Sequence, residues 1–342
     1  MARDHGGDID RAAARFGAGD WIDLSTGINR RPWPVGHLPP EVWQALPTAL
    51  AADRLRRAAA GWFGGTAAQV LPVAGASAAI QLIPRLWPAG RAAILTPSYN
   101  EHAASLRAAG WRVTDCADIG DMAGADLAVV VNPNNPDGRE WSPDALSRLA
   151  RTVGHLVVDE SFADPRPDLT LIPALPHNAL ILRSFGKFWG LAGLRLGFAV
   201  AAPDLLDRMA AMAGPWAVGG PALHVGATAM ADRAWADDTV VYHSEAALRL
   251  DRIALSAGWQ PAGGTHLFRL YDTGDAAAAQ DHLAQARIWS RRFPYSDGWL
   301  RLGIPGSHAE WDRLTDALRK SRAGRAASIA AGLSPLSFSR RH

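Results

Sequence analysis

The sequence predicts an α/β protein, with a large domain built on a mostly parallel central sheet and a smaller α+β domain. Two observations carry that expectation. Through the middle of the chain, apolar runs of strand length alternate with longer helical patterns, the order that produces parallel strands covered by helices on both faces. At 342 residues the chain is also longer than a single hydrophobic core usually supports, so a second unit is expected. Because 48% of the residues are apolar and only 20% charged, both cores can be filled and the chain is far from the composition of a disordered segment.

The elements follow in order. Residues 1–50 contain an acidic-to-apolar segment at 21–28 and a proline-rich turn at 31–40, and they are expected to pack on the smaller domain. Residues 70–73, 92–95, 127–131, 156–159, 179–182 and 196–200 are short apolar runs that read as strands. Residues 77–87, 101–109, 143–153 and 203–212 carry helical spacing and read as crossover helices. Ser142 followed by Pro143 is an N-cap with proline in the first turn. These elements define a large domain over residues 51–215. After Gly214-Pro215 an alanine-rich stretch, 221–257, reads as helices that lead into a small domain over 216–322. There, 266–270 and 299–302 read as strands, and 276–286 and 309–320 as helices. Residues 323–342 read as a tail.

Composition narrows the function. Lys plus Arg total 35 against 33 for Asp plus Glu, so neither nucleic acid nor an anionic membrane is an expected partner. The single cysteine, Cys116, excludes an intramolecular disulfide and a thiolate zinc site, and no metal is expected. The opening residues place charges and glycines where a signal peptide needs apolar residues, and no apolar run reaches membrane-spanning length. A cytoplasmic location is the expectation.

The chemistry concentrates in Ser184-Phe-Gly-Lys187-Phe-Trp-Gly-Leu-Ala-Gly-Leu-Arg195-Leu-Gly197, just beyond a predicted strand. Lysine occurs at only one other position, Lys320. A lysine with a nearby hydroxyl and guanidinium suits pyridoxal phosphate: the amine joins the aldehyde, and Ser184 and Arg195 take the phosphate. Upstream, Gly75-Ala76-Ser77 opens a helix after a strand, where backbone amides and a hydroxyl converge on an anion. Each segment alone has a plainer reading, as a surface lysine or a turn. Their order in the chain is what counts.

That order resembles the fold-type I pyridoxal-phosphate enzymes, the class I/II aminotransferase superfamily, over most of the chain. The resemblance implies the pyridoxal-phosphate-dependent transferase-like fold and pyridoxal 5'-phosphate as cofactor. It implies that Asp159, in Val158-Asp-Glu-Ser-Phe162, pairs with the pyridinium nitrogen. Asn135, in Asn132-Pro-Asn-Asn-Pro136, would bond the cofactor's phenolic oxygen, and Tyr99, which could equally be ordinary core, would stack on the ring with His102 backing Asp159. Lys187 would hold the cofactor, and Gly75, Ala76, Ser77, Ser184 and Arg195 its phosphate.

Within the superfamily the chain resembles the threonine-phosphate decarboxylases of cobalamin biosynthesis. Phe162 stands where an ordinary aminotransferase has tyrosine, and His5-Gly6-Gly7-Asp8 with Asp23-Leu-Ser-Thr-Gly27-Ile-Asn29 is similar to their opening motifs. Gly27 replaces an asparagine at a substrate-contacting position. By the same resemblance Arg301 receives the substrate carboxylate, and His5, Gly6 and Arg291 the substrate phosphate, with Arg292 an alternative by one register. The implied reaction is decarboxylation of O-phospho-L-threonine to (R)-1-amino-2-propanol O-phosphate by a homodimer. A histidinol-phosphate-type aminotransferase and a non-catalytic pyridoxal-phosphate-binding protein remain the alternatives.

Overall fold

Seven strands form the main sheet of the computed structural model, which describes residues 5–332. They are β1 (Val70–Val73), β2 (Arg91–Leu95), β3 (Arg112–Cys116), β4 (Leu127–Val131), β5 (His155–Asp159), β6 (Ala179–Ser184) and β7 (Gly197–Val200), in spatial order β1-β7-β6-β5-β4-β2-β3. Only β7 runs against its neighbours, pairing antiparallel with β1 and β6. The central strands read as unbroken apolar runs because both faces are covered; all five residues of β4 are buried.

On one face, Leu127, Val129, Val157, Leu180 and Leu182 pack against α2 (Ala76–Leu82), α3 (Asn100–Ala108) and α5 (Pro203–Ala213) through Ile80, Leu106 and Met209. Truncating one fully buried leucine of this core to alanine costs about 2–5 kcal/mol. α4 (Pro143–Ala150) begins as expected, with the Ser142 hydroxyl accepting from the Ala145 amide. Among the elements that went unread in the sequence are the edge strand β3 and the helix α1 (Ala49–Phe63), whose Leu55 lies where a Cβ on Gly226 would touch it, in α6 (Gly220–Ala229).

The described residues divide into two compact units, 28–245 with 263–267 and 5–27 with 246–262 and 268–332. The expected boundaries at 50 and 215 are therefore displaced. Residues 28–50 join the larger unit because Asn29 bonds the backbone beyond β6: its amide donates to the Lys187 carbonyl at 2.9 Å and its side chain to the Phe188 carbonyl at 2.9 Å. Residues 216–245 also belong there, through α6 and the first half of α7 (Arg233–Ser256).

β8 (Phe268–Asp272), β9 (Arg291–Phe293) and β10 (Ser296–Gly303) belong to a four-stranded sheet whose fourth strand, Gln260–Gly264, lies beside β8; β10 pairs antiparallel with both β8 and β9. α8 (Ala276–Gln285) and α9 (His308–Gly332) accompany it. The helix at Ile9–Phe16 is capped by Asp8, which accepts from the Arg11 amide. The tail expected from residue 323 begins inside α9, and residues 333–342 lie outside the described residues.

Candidate active site

The parallel strands bring one residue after another to the same edge of the sheet. Asp159 and Ser184 are the last residues of β5 and β6, Gly75 follows β1 by two residues, and Tyr99 and Asn135 each follow a strand by four. This carboxyl edge is where open α/β sheets place their ligands. Gly75, Ala76, Ser77, Tyr99, Asn135, Asp159, Ser184, Lys187 and Arg195 line a single cavity there. All nine residues assigned to the cofactor are brought together.

Close packing shapes the anion end. Gly75 caps α2 with φ +80°, a conformation that glycine adopts at little cost, and a Cβ there would sit 2.8 Å from an Arg195 nitrogen. Arg195 itself has φ +53° and donates to the Ala192 carbonyl at 3.0 Å. Gly197, across the strand pair, has the same duty: its Cβ would lie 2.4 Å from the Ala76 nitrogen. Backbone and guanidinium therefore approach as closely as atoms allow, with two hydroxyls beside them.

At the other end Asp159 is buried and accepts from His102 at 2.8 Å and from the amide and hydroxyl of Ser161. Burial pushes its carboxyl up, but the His102 and Ser161 hydrogen bonds outweigh that and hold it below the usual carboxylate range. It is an anion at neutral pH. Burial, with the charges of Glu101 and Asp159, pushes the Tyr99 phenol up to about 12, so it stays a neutral ring against the cavity wall. Asn132 and Asn134 brace their own loop, bonding Trp141 and Asp137, whereas Asn135 faces the cavity. Lys187 places its ammonium 5.4 Å from the centroid of the Phe162 ring.

These features fit one group. A carboxylate for a pyridinium at one end, a guanidinium, hydroxyls and a glycine cradle for a phosphate at the other, an aromatic wall and a lysine amine match pyridoxal 5'-phosphate.

The smaller unit holds a second constellation. His5, Gly6, Ser25, Arg291 and Arg292 line a cavity with Trp289. Three motifs far apart in sequence meet at Ser25. Its hydroxyl donates to Asp23 at 2.6 Å and accepts from the Gly7 amide at 2.7 Å, while its carbonyl accepts from buried Arg301 at 2.7 Å. A Cβ at Gly6 would lie 2.4 Å from that carbonyl, so the bare backbone is required. Arg291 stands directly opposite Arg301 in the β9–β10 register, which puts both on one face. Arg292 alternates away, so of the two registers open in the sequence, Arg291 is the one paired with Arg301. Gly27 is buried at the end of this unit's N-terminal segment.

The profile of the aminotransferase class I and II family matches residues 20–318. The chain belongs to this family. It is accordingly a pyridoxal-phosphate protein, in agreement with the cavity. Among the family's members, the threonine-phosphate decarboxylase of Sinorhizobium sp is 42% identical over 326 residues, covering 92% of this chain and 97% of that protein. A histidinol-phosphate aminotransferase of Mycobacterium bovis is 34% identical over 293 residues, covering 80% of this chain and 79% of that protein. The L-threonine-O-3-phosphate decarboxylase structure from Porphyromonas gingivalis shares the fold, with a TM-score of 0.67 at 23% identity over 82% of this chain and 93% of that one.

This family member also uses residues that sequence reasoning passed over. Ser161 was legible in principle, since a serine two residues after an aspartate is a common local partner. Asn29, which bonds the backbone at Lys187, and Gly197, which admits the phosphate loop, were not legible as such, because their partners lie 158 and about 120 residues away in sequence.

Proposed function

We propose that the protein decarboxylates O-phospho-L-threonine to (R)-1-amino-2-propanol O-phosphate, the linker precursor of the cobalamin nucleotide loop. The observation that carries this reading is the 42% identity to a threonine-phosphate decarboxylase across 92% of the chain. The paired Arg291 and Arg301 support it. Like charges on directly opposed strand positions cost stability, and a substrate carrying a carboxylate and a phosphate offsets that cost.

The residues divide the work. Lys187 would hold the cofactor, Gly75, Ala76, Ser77, Ser184 and Arg195 its phosphate, Asn135 its phenolic oxygen and Tyr99 its ring face. Bound there, pyridoxal phosphate would supply an electron sink for the pair left on the α-carbon when one of its bonds breaks. Asp159, held ionised, would keep the ring nitrogen protonated. Arg301 takes the substrate carboxylate as a planar fork, and His5, Gly6 and Arg291 take the phosphate. Gripping both ends sets which α-carbon bond is aligned for cleavage. The carbon–carbon bond to the carboxylate would break with its electron pair left on the α-carbon, carbon dioxide would leave, and Lys187, freed when the substrate amine takes its place and carrying a proton as an ammonium, would return that proton to the α-carbon.

Phosphothreonine decarboxylation is tested by incubating the holoprotein with O-phospho-L-threonine and following carbon dioxide. Release of carbon dioxide without net change in the cofactor is the expected result. No carbon dioxide, but conversion of the cofactor to its amine form by histidinol phosphate, would replace this reading with transamination, which the Mycobacterium bovis relative favours.

The proposal includes a cytoplasmic homodimer. Trp43, Leu46, Leu50 and Trp216 are exposed on the larger unit, with Trp43 at 67%, and a partner chain would cover such apolar surface. Sedimentation of the wild type as a dimer and of Trp43→Glu as a monomer is expected; a monomeric wild type would refute it. Among the described residues no helix is long and apolar enough to cross a membrane.

A further inference from the structure

The end of the β5–β6 strand pair carries charge on both of its faces. Successive residues of a strand point to opposite sides. Asp159 and Ser184 face the cofactor cavity, and their neighbours Glu160 and Arg183 meet each other away from it. Arg183 donates one terminal nitrogen to Glu160 at 2.9 Å and the other to Asp164 at 2.7 Å. Both carboxylates accept further hydrogen bonds. Glu160 accepts from the Thr170 hydroxyl at 2.6 Å and the Leu171 amide at 2.9 Å, and Asp164 accepts from the Trp62 indole at 2.7 Å. Arg183, Glu160 and Asp164 are all buried, none more than 4% exposed.

Such a cluster is a poor way to gain stability, because the desolvation of its charges offsets most of their attraction, and apolar residues of similar volume would serve as well. What it supplies is geometry. The fork of Arg183 ties β6 to two carboxylates on either side of the 161–163 turn, and Glu160 anchors that segment again at 170–171. Between these anchors lie Ser161, which bonds Asp159, and Phe162, which faces Lys187.

We propose that Arg183 is a positioning residue for the cofactor: by bridging Glu160 and Asp164 behind the sheet edge it holds residues 159–162 so that Asp159, Ser161 and Phe162 are presented to the cavity. Arg183 touches no cofactor atom in this scheme and acts through its two carboxylates. A one-residue slip in this segment would turn Asp159 away from the ring nitrogen and Glu160 toward it. The inference rests on pyridoxal phosphate binding alone and is independent of which reaction follows.

Two full-length variants test it, each stripped of cofactor and retitrated beside the wild type. Arg183→Lys keeps the charge but reaches only one carboxylate. The triple variant Glu160→Gln, Asp164→Asn, Arg183→Met removes every buried charge while keeping side-chain volume, so no uncompensated ion is left to unfold it. The triple variant is expected to melt near the wild type and Arg183→Lys below it, since one buried carboxylate loses its partner, yet both are expected to fold and to bind pyridoxal phosphate roughly tenfold or more weakly, the scale on which orienting partners act. Both are also expected to shift the pH midpoint of the bound cofactor's absorbance, a readout that a purely structural role would not move. Wild-type affinity and pH midpoint in both variants would overturn the proposal, and failure of both to fold would assign the cluster to stability and overturn it too. A wild type that binds no pyridoxal phosphate would sink the cofactor reading instead.

Discussion

Replacing Gly197 by alanine tests whether close backbone approach builds the phosphate end of the site. The added Cβ would lie 2.4 Å from the Ala76 nitrogen, 2.8 Å from the Gly75 carbonyl carbon and 3.0 Å from the Arg183 oxygen. Every one of these is a backbone atom, so no side chain can swing aside. Relief to an ordinary contact requires the Gly75–Ala76 loop to move by about 1 Å, which takes a hydrogen bond from good length to none. Losing one charge-assisted hydrogen bond to the cofactor phosphate costs about 1.5–3 kcal/mol, a rise of roughly 10- to 150-fold in the dissociation constant. Overpacking should also lower stability by about 1–3 kcal/mol. Titrating cofactor-free protein with pyridoxal phosphate, followed by tryptophan fluorescence, measures the first effect and urea unfolding the second. Gly193→Ala is the control, because a Cβ there meets nothing within 4 Å, and it should change stability by no more than about 0.5 kcal/mol. Equal cofactor affinity in Gly197→Ala and wild type would refute the reasoning.

Two further outcomes are expected. His243 in α7 is 1% exposed, and burial pulls its imidazole down to about 4. The unfolded chain takes up this proton near pH 6.5 while the folded chain refuses it, so His243 contributes nothing against folding above about pH 6.5 and destabilises progressively as pH falls toward 4, by up to about 3 kcal/mol. In His243→Leu the urea midpoint should lose that part of its acid sensitivity; an unchanged pH profile would argue that the imidazole is protonated in the folded state. Arg301→Lys replaces a planar fork by a point charge and should raise the KM for O-phospho-L-threonine roughly 10-fold or more while leaving pyridoxal phosphate affinity unchanged, which steady-state carbon dioxide release and cofactor titration would separate.

That the candidate residues would share one cavity was readable because they sit at fixed offsets from strand ends. Asp159, Ser184, Asn135 and Tyr99 each follow an apolar run that can only be a buried strand, and parallel pairing carries all four to one edge. The strand β3 escaped notice because at the sheet edge four of its five residues are partly or fully exposed, which erases the apolar run. The helix α1 escaped because alanines and arginines dominate it and only Leu55, Ala59, Ala60 and Phe63 are buried. The unit boundary at residues 27 and 28 could not be read from composition at all, since it depends on Asn29 reaching the Lys187 carbonyl.

The sequence by itself determined the α/β alternation, the lysine and its glycine-rich setting, the acid at the strand end and the arginines of the smaller unit. These are local facts, set by apolar periodicity and by the chemistry each residue type carries. Tertiary structure alone decided that Gly6, the Ser25 carbonyl and Arg301 meet at one point, that Arg291 rather than Arg292 shares a face with Arg301, and that Arg183 bridges Glu160 and Asp164. Each of these depends on strand register and on contacts between residues distant in the chain, and register is settled by how whole faces pack, which no short stretch of sequence contains.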